Sequence, residues 1–294
     1  MQIMLIMMTK APSIVNIKMR LCWVFVLLLS VSPVGSAEPA TPGETRPAVV
    51  HQATLGKEAC VPCSLFNALN QGGAPERAAA RRLAGTNDLE RVRTLIAAYG
   101  KKPSVSYPGK SRYEGDGKTS CPDMLAMAQD ACHACGLRAV EGSYMERARN
   151  ESGSNHLRRI HALLRQSLDE GFPPVVQLVS FSAVQTNKQG YDWRWEPLMG
   201  HAVCILEAPR SLGETARGFV FHYADSDTGQ VLEGYLCEEK QRSLVAARGD
   251  GWRGGGPPVR PYLFAVVPDL PLDTPQQPWY LRTAVAFTYA VFRR

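Results

Sequence analysis

The second half of the chain, from Pro173 onward, carries the pattern that most constrains the fold. Six short segments there are rich in β-branched and aromatic residues and are separated by glycine, proline and polar residues: PPVVQLVSF, HAVCILEA, GFVFHYAD, VLEGYL, RPYLFAVV and TAVAFTYAVF. Segments of this kind are typical of β-strands. Helical patterns fill the first half instead. This order of elements favours one α+β domain with its helices packed against an antiparallel sheet.

Capping residues and the spacing of apolar residues indicate where the helices begin and end. Ser120 is a predicted N-cap, and Gly136 is the predicted end of the helix that follows it. Asn87 or Asp88 is expected to cap an earlier helix that ends at Gly100. The helices predicted on these grounds cover 61–70, 75–84, 88–99, 121–135 and 155–170, and LRAV at 137–140 is predicted to be a strand.

Residues 1–37 have the composition of a secretory signal peptide. Lys18 and Arg20 precede the apolar run LCWVFVLLLSV, and the small residues of SPVGSA follow it. The run is shorter than the about 20 apolar residues that a membrane-spanning helix needs. We therefore predict a secreted or periplasmic protein with no membrane association after signal removal. A proline-rich linker is expected at 38–50 and a single domain at 51–294.

The charge of the chain argues against one class of partner. Its 33 basic and 27 acidic residues give a formal net charge of +6, and three of the basic residues belong to the predicted signal peptide. The remaining charge is scattered, without a basic stripe or an aromatic platform, so nucleic acid is not expected as a partner. The sequence indicates no particular oligomeric state.

One cysteine stands at a position that suits catalysis. Eight cysteines are present, and an odd number remains once Cys22 leaves with the signal, so at least one thiol stays unpaired even in an oxidising compartment. Pro62 is tolerated only in the first turn of a helix, which places Cys60 at the very start of the 61–70 helix. The helix dipole stabilises a thiolate there, and the thiolate is the nucleophilic form of cysteine.

A thiolate nucleophile also needs a base and a group that orients the base. Of the six histidines, His201 has the most suggestive context, because it follows Gly200 and opens the apolar strand AVCIL. Asp225 ends the next predicted strand. If these two strands are antiparallel neighbours, the start of one lies beside the end of the other, and the two side chains approach each other. A histidine at a strand end and a polar turn after Asp225 are also ordinary structural features.

Together these motifs resemble the papain-like cysteine peptidases, in particular the branch of bacteriocin-processing double-glycine peptidases and their secreted stand-alone relatives. CVPCSL, which begins at Cys60, resembles the family's Cys-Gly-Pro motif, and GHAV, which contains His201, resembles its Gly-His motif. Asp225 with a glycine four positions later resembles its Asp-Pro turn. DEGFPPVVQLVSF at 169–181 resembles the strand before the histidine. Valine and serine replace the glycine of the first motif and the proline of the third.

The resemblance implies a papain-like α+β fold and a thiol hydrolase that cleaves peptide or related amide bonds in a peptide or protein substrate. It implies no cofactor and no metal ion. Cys60 would attack the carbonyl, His201 would take and return the proton, and Asp225 would orient His201. Gln52, with the Cys60 backbone N–H, would stabilise the oxyanion. Cys63 stays an alternative nucleophile, because the second cysteine of such a pair attacks in the peptidase that gives the family its name.

Other functions stay open at the level of sequence. The Cys-x-x-Cys pairs at 60–63 and 132–135 could bind zinc as four thiolates, although the second pair lies in a predicted helix and not in the hairpin of a zinc knuckle. A redox role is less favoured because no βαβ pattern surrounds either pair. The same triad could transfer the acyl group to an amine or thiol, as transglutaminase-like and phytochelatin-synthase-like enzymes do. The domain could also bind without catalysing.

Overall fold

The computed structural model describes most of the chain after the predicted leader. The described residues are 47–56, 58–116, 119–185, 193–238, 262–268 and 283–294. The predicted signal peptide at 1–37 lies outside these ranges, and so does all of the predicted linker except its last four residues.

Five α-helices within the described residues occupy the stretches that the sequence predicts: α1 (Cys60–Asn70), α2 (Ala74–Arg82), α3 (Asp88–Leu95), α4 (Cys121–Ala134) and α5 (Gly153–Asp169). Two predicted caps are confirmed, because the Asn87 side chain accepts the Glu90 N–H and the Ser120 side chain accepts the Asp123 N–H. A π-helical turn, Ile96–Gly100, extends α3. Of the helices described, none is both long and apolar enough to cross a membrane.

The described strands form one antiparallel sheet: β1 (Glu141–Tyr144), β2 (Val175–Gln185), β3 (Trp193–Glu207), β4 (Gly218–Asp225), β5 (Gln230–Cys237), β6 (Leu263–Val266) and β7 (Thr283–Phe292). The six segments that read as strands are confirmed as β2 to β7. The strand predicted at 137–140 is misplaced, since the chain pairs only from Glu141 onward as β1. The strand order is β1-β7-β2-β3-β4-β5-β6, and β6 pairs with β7 as well.

The pairing of β6 with β7 overturns the predicted fold class. The sequence predicts a papain-like α+β fold in which N-terminal helices pack against a C-terminal antiparallel sheet. That prediction is wrong, because β2 to β7 close into a six-stranded antiparallel barrel. One edge of β7 serves two neighbours, β6 along 285–287 and β1 along 289–292. Strand signals are local and do not identify the remote strand that completes a sheet.

Alternate residues of β3 belong to two separate hydrophobic clusters. Val203 and Ile205 pack in the cluster that includes residues of α5, whereas Ala202 and Cys204 pack in the cluster that includes residues of α1 and α4. This alternation follows from the two-residue period of a strand. The second cluster brings the head of α1 against the middle of β3, where His201 precedes Ala202.

Candidate active site

Cys60 is the first residue of α1, as the position of Pro62 predicts. It keeps partial exposure, while every residue that follows it in the helix is buried. Ser64 Oγ donates a hydrogen bond to the Ala202 carbonyl at 2.8 Å, which fixes the first turns of α1 on β3. The thiol is therefore held at a helix N-terminus, where the helix dipole favours negative charge, and beside the strand that carries His201.

The imidazole of His201 lies between a thiol and a carboxylate. Its Nε2 atom is 2.6 Å from Asp225 Oδ1, and Cys60 is near enough that its interactions help to raise the pKa of the ring. Because Asp225 engages Nε2, Nδ1 is the ring nitrogen left to face the thiol. The prediction that His201 opens its strand is wrong, because β3 begins at Trp193 and His201 lies within it. The antiparallel pairing of β3 with β4 at Cys204 and Ala224 still brings the end of β4, with Asp225, beside His201.

The two partners of His201 set its charge. Burial disfavours the imidazolium, but the hydrogen bonds and charges of Asp225 and Cys60 raise the pKa of His201 to about 10. Burial also tends to raise the pKa of Asp225, yet hydrogen bonds from His201 and from the Asp227 backbone hold that pKa below its ordinary value. At neutral pH the pair is therefore an imidazolium and a carboxylate.

Asp225 is held in place by the turn that follows β4. Its Oδ1 accepts the Asp227 N–H at 3.0 Å, and its Oδ2 accepts the N–H and the hydroxyl of Thr228 at 3.2 and 3.0 Å. Gly229 closes the turn with a φ of 70°, and its N–H donates to the Asp225 carbonyl. A buried carboxylate with this many donors has one orientation, so it can hold His201 in one orientation as well.

Gln52 packs against the same turn. Its backbone N–H donates to the Ser226 carbonyl at 2.7 Å, and its side-chain Nε2 donates to Asp227 Oδ1 at 2.8 Å. His51 contributes a further hydrogen bond, between its Nε2 and the Asp227 carbonyl, at 2.7 Å. Gln52 is thus linked to the triad through the loop that carries Asp225.

Cys63, the alternative nucleophile, lies one turn further into α1 and has no exposed surface. Burial, together with the charge of Cys60, raises the pKa of Cys63 to about 12. A thiol that resists ionisation and is closed off from solvent is a poor nucleophile. The surroundings of the two thiols therefore favour Cys60.

A cavity of about 50 Å³ opens beside Cys60. Its walls come from the heads of α1 and α4 and from the paired strands β2 and β3, and they include Cys121, Gln177 and Gly200. Cys121 Sγ donates to Gln177 Oε1 at 2.7 Å. Gln52 is not among the described residues that line this cavity.

The expectations drawn from the sequence do not include Gln177 or Cys121. Gln177 interrupts the apolar run PPVVQLVSF, and an amide in a buried strand is a signal that the polar group has a specific partner. Cys121 precedes Pro122 at the start of α4, an arrangement close to that of Cys60 at the start of α1. Both signals are visible in the sequence, but neither belongs to a motif.

The second Cys-x-x-Cys pair lies far along a helix. Cys132 is in the last turn of α4, and Cys135 is its C-terminal cap. Cys132 and Cys135 are both free thiols. Among the residues it describes, no group of three or more His, Cys, Asp or Glu side chains is arranged to hold a metal ion. The geometry therefore offers nothing in favour of the zinc alternative.

A thiol, an imidazole and a carboxylate in series can generate a nucleophile and pass a proton to a leaving group. The interpretation of this site rests on that geometry alone. Comparison with protein-family models, with curated proteins and with solved structures finds no match for this chain.

Proposed function

We propose that this protein is a secreted or periplasmic thiol hydrolase that cleaves peptide or related amide bonds. Cys60 is the nucleophile, His201 the general acid and base, and Asp225 the residue that orients His201. One observation carries the proposal: the His201 ring lies 2.6 Å from the Asp225 carboxylate and near enough to Cys60 for the two groups to interact electrostatically. The composition of residues 1–37 supports the location outside the cytoplasm.

In the first half of the reaction, the Cys60 thiolate attacks the carbonyl carbon. A C–S bond forms, and the carbonyl π electrons move onto oxygen. The imidazolium of His201, whose pKa is raised to about 10, then donates its proton to the leaving nitrogen. The C–N bond breaks, the amine departs, and the acyl group remains on Cys60 as a thioester.

In the second half, water completes the hydrolysis. Neutral His201 takes a proton from the water molecule as its oxygen attacks the thioester carbon. Collapse of this intermediate breaks the C–S bond, releases a carboxylic acid and restores the thiolate and the imidazolium. Asp225 keeps its negative charge throughout and stabilises the imidazolium each time it forms.

Donors at the head of α1 stabilise the oxyanion in this proposal. The first backbone N–H groups of a helix have no partner within the helix, so the Cys60 N–H is suited to the developing negative charge. Gln52 is the second proposed donor. Its attachment to Ser226 and Asp227 would couple oxyanion stabilisation to the turn that holds Asp225.

Cleavage of a mixed peptide library, analysed by mass spectrometry, tests the proposal. The wild-type protein is expected to release fragments with new carboxyl termini, and His201→Ala is expected to release none at the same protein concentration. His222→Ala is the matched control, because His222 is a surface histidine with a 40% exposed side chain that contacts Glu207. It should cleave like the wild type.

Alkylation by iodoacetamide gives a second measurement that needs no substrate. Cys60 should be the first cysteine labelled, and labelling should slow in His201→Ala because the imidazolium no longer favours the thiolate. An uncleaved library, together with equal Cys60 labelling in the wild type and in His201→Ala, would contradict the proposed function.

A further inference from the structure

Gln177 is fixed at an irregularity of the barrel. It pairs with Tyr289 of β7, whereas the next residue, Leu178, pairs with Phe287, so Thr288 is an extra residue on β7. The Thr288 hydroxyl donates to the Gln177 carbonyl at 3.1 Å. Bulges occur often beside active sites because they redirect side chains. At this bulge the Gln177 side chain becomes part of the cavity wall.

Two neighbours define which way the Gln177 amide points. On one side, Cys121 Sγ donates to Oε1 at 2.7 Å. On the other side, Nε2 is the atom nearest to the place that a Cβ would occupy at Gly200, 3.2 Å away. Because Gly200 has no side chain, the Nε2 side of the amide stays open.

The Nε2 group of Gln177 can donate a hydrogen bond into the cavity. Among the described residues, no atom accepts a hydrogen bond from Gln177 Nε2. A second polar group of the wall is already engaged, because the Ser120 hydroxyl bonds Asp123 at 2.7 Å and Ser106 at 2.6 Å. A partly buried N–H without a partner is unfavourable until an acceptor arrives. An oxygen atom of a bound molecule would supply that acceptor.

The size of the cavity limits what can bring this oxygen. The cavity volume is about 50 Å³, whereas a cavity of about 150 Å³ holds a benzene molecule. A side chain with roughly two or three heavy atoms fits, whereas a leucine or phenylalanine side chain does not. Met124 forms part of the wall and is only 2% exposed, so the cavity cannot deepen there without disturbing the core.

We infer that this cavity is a specificity subsite for a small polar side chain of the substrate, such as serine. Gln177 Nε2 donates a hydrogen bond to the oxygen of that side chain, which belongs to a residue next to the bond that is cleaved. The inference rests on the proposed function, because the cavity is a substrate subsite only if Cys60, which lies in its wall, is the nucleophile. A serine side chain fits the volume and carries the acceptor. Alanine fits without an acceptor, and leucine fails on both counts.

Peptidyl vinyl sulfones test the subsite, since they alkylate an active thiolate and carry the side chains of a substrate. Two series of N-acetyl dipeptidyl vinyl sulfones would be compared, each with Ser, Ala, Leu or Phe at one position. The first series varies the residue that bears the sulfone, and the second varies its neighbour. In one series the wild type is expected to label Cys60 about 10-fold faster with Ser than with Ala, the worth of one hydrogen bond, and slowest with Leu and Phe.

Two substitutions separate the effect of the Gln177 hydrogen bond from the effect of the cavity's size. Gln177→Glu keeps an oxygen for Cys121 but removes the N–H donor, and Gln177→Met removes the amide without adding a charge. Both should abolish the preference for Ser over Ala. The Ser-to-Ala ratio is measured within each variant, so any change in Cys60 reactivity cancels. Gln166→Glu, on the exposed face of α5, is the control and should keep the wild-type ratio.

Each outcome has a distinct meaning. Equal wild-type labelling by the Ser and Leu probes in both series, or a Ser-to-Ala ratio that survives in both Gln177 variants, would overturn the subsite and leave the proposed hydrolase intact. If neither the sulfones nor iodoacetamide label Cys60, the proposed function fails and the subsite fails with it. The wild-type profile alone can refute the size limit, even if a variant does not fold.

Discussion

The spacing Cys-x-x-Cys occurs twice in this chain, and the two pairs lie in different chemical surroundings. The α1 pair, Cys60 and Cys63, stands at the start of its helix, whereas the α4 pair, Cys132 and Cys135, stands at the end of its helix. The positive end of a helix dipole stabilises a thiolate, and the negative end opposes one. The same local spacing therefore has opposite consequences for a thiol according to the end of the helix where it falls.

The charged neighbours of the two pairs differ as well. Cys60 faces the imidazolium of His201, whose other partner is a carboxylate on the far side of the ring. Burial raises the pKa of Cys132 to about 11, and the nearby Arg293 offsets only part of that effect. Arg293 is already paired with Glu76 at 2.5 Å. A cation near a buried cysteine therefore does not activate it when burial outweighs the effect of the cation.

The largest expected effect comes from removing one thiol of each pair. Cys60→Ser should lower kcat/KM for a peptide identified in the library by up to about 10⁶-fold, the scale for removing the nucleophile of a serine-protease triad. Cys135→Ser should act like the wild type, because Cys135 is a partly exposed cap outside the site. Comparable losses in both variants would remove the functional distinction between the pairs.

The next effect concerns the carboxylate behind His201. Asp225→Asn should lower kcat by up to about 10⁴-fold, because an amide does not hold the imidazolium or fix the tautomer of His201. Asp227→Asn is the matched control on the same turn. It removes a charge that accepts from Gln52 at 2.8 Å, so a much smaller loss is expected. A larger loss in Asp227→Asn than in Asp225→Asn would show that Asp227, and not Asp225, is the third catalytic residue.

Near the α4 pair, the buried ion pair between Arg293 and Glu76 is expected to contribute to stability and not to catalysis. The side chains of Arg293 and Glu76 are only 3% and 2% exposed. Glu76→Gln leaves a buried cation without its counter-charge and should lower the free energy of unfolding by about 3–5 kcal/mol. Urea unfolding measures this loss, and kcat/KM of the folded protein should stay at the wild-type level. Replacing both residues by Met should cost less than Glu76→Gln alone; an equal cost would mean that packing, not charge, is lost.

The positions of the elements are predictable because their signals are local. Ser120 and Asn87 cap the helices that follow them, and the β-branched segments form the expected strands. The closure of the barrel is a different matter. It requires β6, a strand of four residues, to pair with one part of the edge of β7 while β1 pairs with the other part of the same edge. No local pattern encodes that choice between remote partners.

The same distinction applies to the site. Cys60 begins α1 and Asp225 ends β4, while His201 lies within β3. A proline, a turn and a preceding glycine mark the three residues in the sequence. Gln177 carries no such mark, because its setting arises from several elements at once. The bulge at Thr288 in β7, the missing side chain at Gly200 in β3 and a thiol on α4 together set its orientation.

The last expected effect is a pH dependence of stability that belongs only to the surroundings of the α1 pair. Folding raises the pKa of His201 from its ordinary value of 6.5 to about 10. Between these values the folded protein keeps a proton that the unfolded chain releases, so the free energy of unfolding falls as the pH rises. The contribution is complete below pH 6.5 and is lost once the pH has passed about 10. Arg293 keeps its proton over this range, so the ion pair near the α4 pair adds no such slope.

Urea unfolding at a series of pH values separates the two regions. His201→Gln should flatten the decline in stability between pH 6.5 and about 10, because glutamine binds no proton. Arg293→Met should lower stability at every pH and keep the slope of the wild type. The difference between the two variants matters more than either curve, since other groups that titrate in this range contribute equally to both. A slope that is the same in the wild type and in His201→Gln would contradict a net gain of one proton on folding that depends on His201.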